Sequence, residues 1–325
     1  MVKSIDKEQL QFELWSECNS NCTFCYLGKE KRHTPIELKV KNLDTTLQMI
    51  SDESIYERYD TLAYLGGEFF QGQLNTPEIK EKFFKLMQKT EELYEKGLIK
   101  EIWLYATMTI GDQQDLFDTL KIFKPALDNG DFWVLTSYDT RGRFHSQKMH
   151  DTWDSTMLKL REVYPKIKLN VTSILSADLI RKYMNDEFSF QRMMDKYKCV
   201  FFLKQGYVAN SEDYLSMDAK MAMQARVGDF FPKRKDFLHF LIKFKKQESS
   251  DMWNRLFNIK YRASTLYRNY NTEGRQFERN TRHKDSKVEE EGAALAKCGH
   301  VASYSCYIDS DRCCLCDKLA ISDDG

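Results

Sequence analysis

Cys18, Cys22 and Cys25 stand in the run Cys-Asn-Ser-Asn-Cys-Thr-Phe-Cys, a C-x3-C-x2-C spacing that lets one short loop turn three thiols toward a common point. Thiolates are soft ligands that suit iron–sulfur clusters and zinc. A closed cubane cluster takes four cysteines, so three leave one iron open to another molecule. Zinc usually wants four ligands, commonly in spaced pairs, and His33 is the nearby residue that can complete such a set. Buried thiols holding no metal are the third reading of the same residues.

A second chemistry-bearing group is Tyr64-Leu65-Gly66-Gly67-Glu68, which closes the apolar run 61–65. Two glycines at a strand end let the backbone approach a ligand closely and take dihedrals closed to other residues. By itself the pattern equally describes a strand-ending turn. Combined with the cysteine loop and with Phe24 just before the last cysteine, it resembles the signatures of the radical S-adenosylmethionine (radical SAM) enzymes.

That resemblance implies a site and a reaction. Cys18, Cys22 and Cys25 would hold a 4Fe–4S cluster whose open iron is chelated by the amino and carboxylate groups of SAM. Gly66 and Gly67 would supply close backbone contacts, and Glu68 would accept from the ammonium. Phe24 would contact the adenine, or pack with Tyr26 beneath the loop. One electron then cleaves SAM to methionine and a 5′-deoxyadenosyl radical, which removes hydrogen from a substrate. A small electron donor of the flavodoxin or ferredoxin type is the implied partner. Without a ligand ammonium to meet it, the Glu68 carboxylate is expected to be solvated.

Further cofactor positions follow from the same resemblance. Strand 3 ends at Thr107, where many relatives have a threonine–asparagine–glycine turn, but Met108 occupies the place of that glycine. Ser137-Tyr138-Asp139 is similar to the serine-x-aspartate of peptide-modifying relatives, with Ser137 able to bond the ribose or carboxylate of SAM. Arg143 offers a guanidinium fork for the same carboxylate. Asn170 and Thr172, two apart on a strand, face one side of the sheet. For each of these side chains ordinary turn or strand-end bonding is the alternative.

Cys298, Cys306, Cys313, Cys314 and Cys316 crowd the end of the chain. The stretch resembles a shortened auxiliary-cluster (SPASM/Twitch-like) extension, with Ile308-Asp309 in a small hairpin but Asp309 to Arg312 where a turn glycine is usual. A second iron–sulfur cluster and a zinc site both remain open, since His300 adds a further donor. Cys199, alone on an apolar strand, reads as a core residue.

Lysine plus arginine and aspartate plus glutamate number 49 each over 325 residues, so overall charge points to no partner. Its distribution does. Arg255, Lys260, Arg262, Arg268, Arg275, Arg279, Arg282, Lys284 and Lys287 face only Glu273, Glu278 and Asp285, with Tyr261, Tyr267, Tyr270 and Phe277 interleaved. Cations for phosphates and rings for bases make a nucleic-acid-binding surface, and a solvated basic helix and loop is the plainer reading. Three function classes therefore stand: a radical SAM enzyme acting on a nucleobase, nucleotide or nucleic acid, one acting on a peptide or protein, and a non-catalytic iron–sulfur sensor. No stretch approaches the ~18 apolar residues of a membrane span. The N-terminal residues lack the apolar core of a signal peptide, so nine cysteines are expected in a reducing cytoplasm.

These residues need a frame. Strand-like runs at 11–17, 61–65, 101–110, 132–138, 168–175 and 198–203 alternate with helical patterns at 43–52, from 76 to 97, and at 113–123, 149–164 and 176–184. Repeated strand–helix units predict an α/β fold with a parallel sheet. The resemblance implies a partial (β/α)6 TIM-like barrel, whereas the pattern equally allows an open doubly wound sheet; both bind ligands at the carboxyl ends of strands. Residues 1–210 are expected to form the core, 211–292 a helical and basic extension with a polar loop over 274–291, and 293–325 a cysteine-rich, metal-binding tail.

Overall fold

The computed structural model describes residues 8–22, 33–111, 113–204, 234–248, 252, 256, 267–270 and 276–278. Strand β1 (Glu8–Glu13) is followed by α1 (Ile36–Ile50), β2 (Tyr59–Leu65), α2 (Pro77–Glu95), β3 (Glu101–Tyr105), α3 (Gln114–Ile122), α4 (Lys124–Asn129) and β4 (Phe132–Ser137). Next come α5 (Gln147–Val163), β5 (Lys168–Ile174), α6 (Ala177–Met184), α7 (Phe190–Tyr197) and β6 (Val200–Lys204). The helix α8 (Arg234–Gln247) and strands β7 (Tyr267–Tyr270) and β8 (Gln276–Glu278) complete the described elements.

The sheet order is β6-β5-β4-β3-β2-β1-β7-β8, with every neighbouring pair parallel except β7 and β8. The first six strands thus lie in chain order. Each crossover steps the same way, and right-handed crossovers then leave the helices on one face. A doubly wound sheet reverses direction partway and covers both faces. The observed order is that of a partial TIM-like barrel.

Alternation along the strands separates two apolar faces. Leu62, Tyr64, Ile102, Leu104, Phe132, Val134, Leu169 and Val171 join Leu86, Leu120, Trp153 and Leu160 from the helices in the main core. Their neighbours in sequence, Ala63, Trp103 and Leu135, form a separate cluster with Tyr105 and Trp133. Helix α2 shows how local sequence sets an element. Pro77 opens it, Ile79, Phe83, Leu86, Met87 and Leu93 bury one stripe, and Gly97 at φ +70° closes it. There the Gly97 N–H donates to the Tyr94 carbonyl (2.8 Å) and the Leu98 N–H to that of Leu93 (3.0 Å).

Several boundaries differ from expectation. Strand β1 ends at Glu13 rather than 17, because the chain leaves the strand to form the cysteine loop. Strand β3 stops at Tyr105, where Thr107, Met108 and Thr109 turn away, Met108 at φ +57°. Helices α4 and α7 were not anticipated; both are short, and α7 starts at Ser189, whose hydroxyl accepts the Arg192 N–H. The polar loop expected over 274–291 contains β8, and β7 inserts beside β1, so the basic segment contributes two strands to the sheet. Helix α8 packs on α6 through Phe240 and Phe244, whose ring centroids lie 5.1 and 5.9 Å from that of Tyr183. Among the described residues no helix is long and apolar enough to cross a membrane.

Candidate cofactor site at the carboxyl ends of the strands

Past their last strand residues, β1 and β2 stay paired. The Leu14 N–H donates to the Leu65 carbonyl (3.0 Å), that of Gly67 to Trp15 (2.8 Å), and that of Glu68 to Glu17 (2.9 Å). The approach is so close that a Cβ on Gly66 would sit 2.7 Å from the Trp15 carbonyl oxygen, and one on Gly67 2.2 Å from that of Glu17. The space a side chain would need is therefore filled by the backbone leading into Cys18. The two glycines, expected to supply close backbone contacts to a ligand, also make a close contact with the cysteine loop.

The carboxylate of Glu68 is buried, not solvated as expected, with the residue only 2 % exposed. Its Oε1 accepts the N–H groups of Phe69 and Phe70, both at 2.9 Å, and its Oε2 that of Thr107 at 2.5 Å. Three backbone donors replace the lost water, which makes burial of the charge tolerable. Trp15 supports the same turn, its Nε1–H donating to the Glu68 carbonyl at 2.7 Å.

The entry to the cysteine loop is fixed by charge. Lys39 is buried, and its Nζ lies 2.7 Å from Glu17 Oε2 and 5.6 Å from the centre of the Trp15 ring. His33 also leans on Glu17, Nδ1 to Oε2 at 3.8 Å, with its side chain 84 % exposed. This zinc-ligand candidate is thus placed against a carboxylate at the loop entry.

Cys18 is half-buried and Cys22 buried; neither forms a disulfide, and Cys25 and Phe24 lie outside the described residues. Burial pushes the Cys18 thiol above its ordinary pKa. The Ser20 N–H, 3.4 Å from the sulfur, pulls the other way, while the negative charges of Glu68 and Cys22 reinforce the rise. Cys18, Cys22 and Glu68 therefore share one electrostatic neighbourhood. Among the described residues no three His, Cys, Asp or Glu side chains gather as a metal-binding group.

A buried polar knot that sequence reading missed backs this loop. Gln71 Nε2 donates among Ser20 Oγ (2.9 Å), Thr107 Oγ1 (2.7 Å) and Thr109 Oγ1 (3.0 Å). Gln71 follows Glu68 by one turn of chain, and Ser20 sits between two cysteines; that adjacency was the only signal. Met108, between the two threonines, adopts the left-handed backbone that favours glycine.

At the end of β4, Ser137 is half-exposed and lies opposite Thr172 in the sheet register. Asn170 is one pleat lower on the same face, opposite Leu135, and its buried Oδ1 has no hydrogen-bond partner. Asp139 is buried and pushed up to about 6 by that burial, against the backbone N–H groups of Gly142 and Arg141 and the charge of Arg143. Arg143 is itself buried beside this aspartate. His145 Nε2 lies 2.9 Å from the Asn21 carbonyl and ties this turn to the cysteine loop. Cys199 is a core residue, with burial pushing its thiol up to about 12. Cys298, Cys306, Cys313, Cys314 and Cys316 lie outside the described residues.

The sequence matches no protein-family model and no curated protein. Among solved structures, the chain is similar to a histidine-tagged anSMEcpe with bound AdoMet at 18% identity and a TM-score of 0.45, covering 77% of this chain and 61% of that one. It is also similar to SuiB of Streptococcus suis bound to its precursor peptide SuiA, at 13% identity and a TM-score of 0.46, covering 94% of this chain and 63% of that one. The chain spans less than two thirds of the length of either structure.

Proposed function

We propose that this chain is a radical SAM enzyme, with Cys18, Cys22 and Cys25 holding a 4Fe–4S cluster and the Gly66–Glu68 turn holding SAM beside it. The observation that supports this best is the backbone pairing of Gly67 and Glu68 with Trp15 and Glu17, which sets the two motifs side by side. The donors suit the groups. Soft thiols lie next to each other, one of them under an N–H donor. A carboxylate offers about four lone-pair sites, of which Glu68 spends three on backbone N–H groups, leaving one for an ammonium.

When bound, the reduced cluster supplies the electron that cleaves SAM to methionine and a 5′-deoxyadenosyl radical, and a flavodoxin- or ferredoxin-type donor would re-reduce it. The protein's residues bind and orient. Glu68 is held rigid by its three donors, so it meets the ammonium without reorganising. Ser137 and Asn170 face the same side of the sheet below the mouth, and the unpartnered Asn170 Oδ1 suits a donor on the cofactor or substrate. Arg143 is assigned to the SAM carboxylate. Anaerobic, dithionite-reduced protein given SAM should release 5′-deoxyadenosine; absence of that product from cluster-loaded protein would leave the sensor class instead.

The substrate we infer is a nucleobase, nucleotide or nucleic acid, on the strength of the basic, aromatic segment from Arg255 to Lys287. If its arginines meet phosphates, each one removed should flatten the log–log salt dependence of binding by about 0.7–0.9. Filter binding with single- and double-stranded DNA and RNA checks this. No binding at low salt turns the reading to a peptide substrate, which Ser137-Tyr138-Asp139 and the terminal cysteines support; those cysteines would then hold an auxiliary cluster or zinc.

The assignment of Glu68 predicts two linked losses. In Glu68→Gln the amide must point its NH2 at a backbone N–H, at Thr107 or at the Phe69–Phe70 pair. An unmade buried bond costs about 1–3 kcal/mol of stability, and losing the charge-assisted bond costs about 1.5–3 kcal/mol of SAM affinity. Urea unfolding and calorimetric SAM titration should both move. Unchanged SAM affinity would withdraw Glu68 from the cofactor site.

A further inference from the structure

We propose that Gln71 is a positioning residue for the cysteine loop, gripping Ser20 so that the Ser20 N–H stays on the Cys18 sulfur. The inference rests on the reading of Cys18 as a cluster ligand. Backbone pairing with the end of β2 holds the chain as far as Glu17, but residues 18–22 have no regular secondary structure of their own. What holds the middle of the loop is Gln71, itself buried. Its carbonyl accepts from Asn19 Nδ2 at 3.1 Å and its Nε2 reaches Ser20 Oγ at 2.9 Å. The same amide nitrogen reaches Thr107 and Thr109 beyond the end of β3, which anchors the grip in the barrel frame.

The knot is closed to water, since Ser20 and Thr109 are each 1 % exposed. Ser20 Oγ lies 3.2 Å from Thr109 Oγ1, so either hydroxyl can donate to the other. Removing the amide donor leaves buried hydroxyl oxygens short of partners, and Ser20 is then free to turn. Ser20 is also the residue whose N–H donates to Cys18 Sγ, at 3.4 Å. A hydrogen bond to a cluster sulfur favours the more negative, reduced state and so raises the reduction potential. Gln71 would act on the cluster through Ser20 without touching it.

The test compares the parent with Gln71→Met, Ser20→Ala and the double variant, methionine matching glutamine in length without its donors. In the metal-free chain, iodoacetamide labelling is followed by mass spectrometry at Cys18 and at Cys199, the buried core thiol that reports general opening. Labelling of Cys18 should quicken roughly ten-fold in Gln71→Met, as the loss of about one net hydrogen bond implies, with Cys199 unchanged. In anaerobically reconstituted protein the potential should shift negative in each single variant and no further in the double, because both act through one contact. Equal quickening at both cysteines, an unchanged potential, or additive shifts would each overturn the proposal. A parent chain that assembles no cluster overturns the functional reading, and the Cys18 labelling still decides whether Gln71 holds the loop.

Discussion

Alanine at Cys22 is expected to abolish most of the visible absorption of the anaerobically reconstituted protein and all reductive cleavage of SAM. Cys22 is buried, and its charge is felt at Cys18, so the two thiols are near enough to serve together as the proposed cluster ligands. With one of the three proposed ligands gone, a cluster would keep too few thiolates to be held. Uptake should also depend on pH. Metal binding requires thiolates and releases their protons. Because burial holds the Cys18 thiol above its ordinary pKa, iron incorporation should rise as pH is raised. The Cys18/Cys22/Cys25 triple variant is the decisive measurement: full iron and full cleavage would falsify the site. Partial iron with sulfide would instead reveal an auxiliary cluster at Cys298–Cys316, and zinc a structural knuckle.

Gly67→Ala is expected to be nearly as damaging although it adds a single methyl group. The new Cβ would lie 2.2 Å from the Glu17 carbonyl oxygen and 2.3 Å from that of Ser16. Both are backbone atoms, so no side-chain rotation relieves the clash. The cysteine loop or the Glu68 turn must move, breaking the bonds from Gly67 to Trp15 and from Glu68 to Glu17. Overpacking of this kind costs ~3 kcal/mol or more, and it separates the two halves of the site at the same time. Gly97→Ala is the control. It meets nothing within 4 Å but sits at φ +70°, so it carries only the left-handed backbone cost of about 1–2 kcal/mol. Urea midpoints and SAM titrations of the two variants should diverge sharply. A Gly67→Ala protein with the parent's midpoint and affinity would show that the two loops are not in contact as described.

Residue type, spacing and short-range period carried much of this protein in the sequence alone. The three cysteines and the Gly-Gly-Glu turn were visible because each is a local pattern. The six parallel strands were legible because alternating apolar runs and helical stripes are local too. What strand follows which in space is a different matter. The chain-order sheet that separates a partial barrel from a doubly wound sheet is decided by pairing between segments far apart in the sequence. So is the insertion of β7 beside β1 from a segment that reads only as basic and polar. The same division runs through the site. Sequence marked Gly66, Gly67 and Glu68, but their surroundings are made by Trp15, Glu17 and Thr107. Hence the glycines proved to admit a backbone and the glutamate proved to be buried. Gln71 and Ser20 carry no motif and meet only because two loops and the end of β3 converge. Local patterns are written in covalent geometry and period, whereas burial and hydrogen-bond partners are settled only when distant segments compete for the same space.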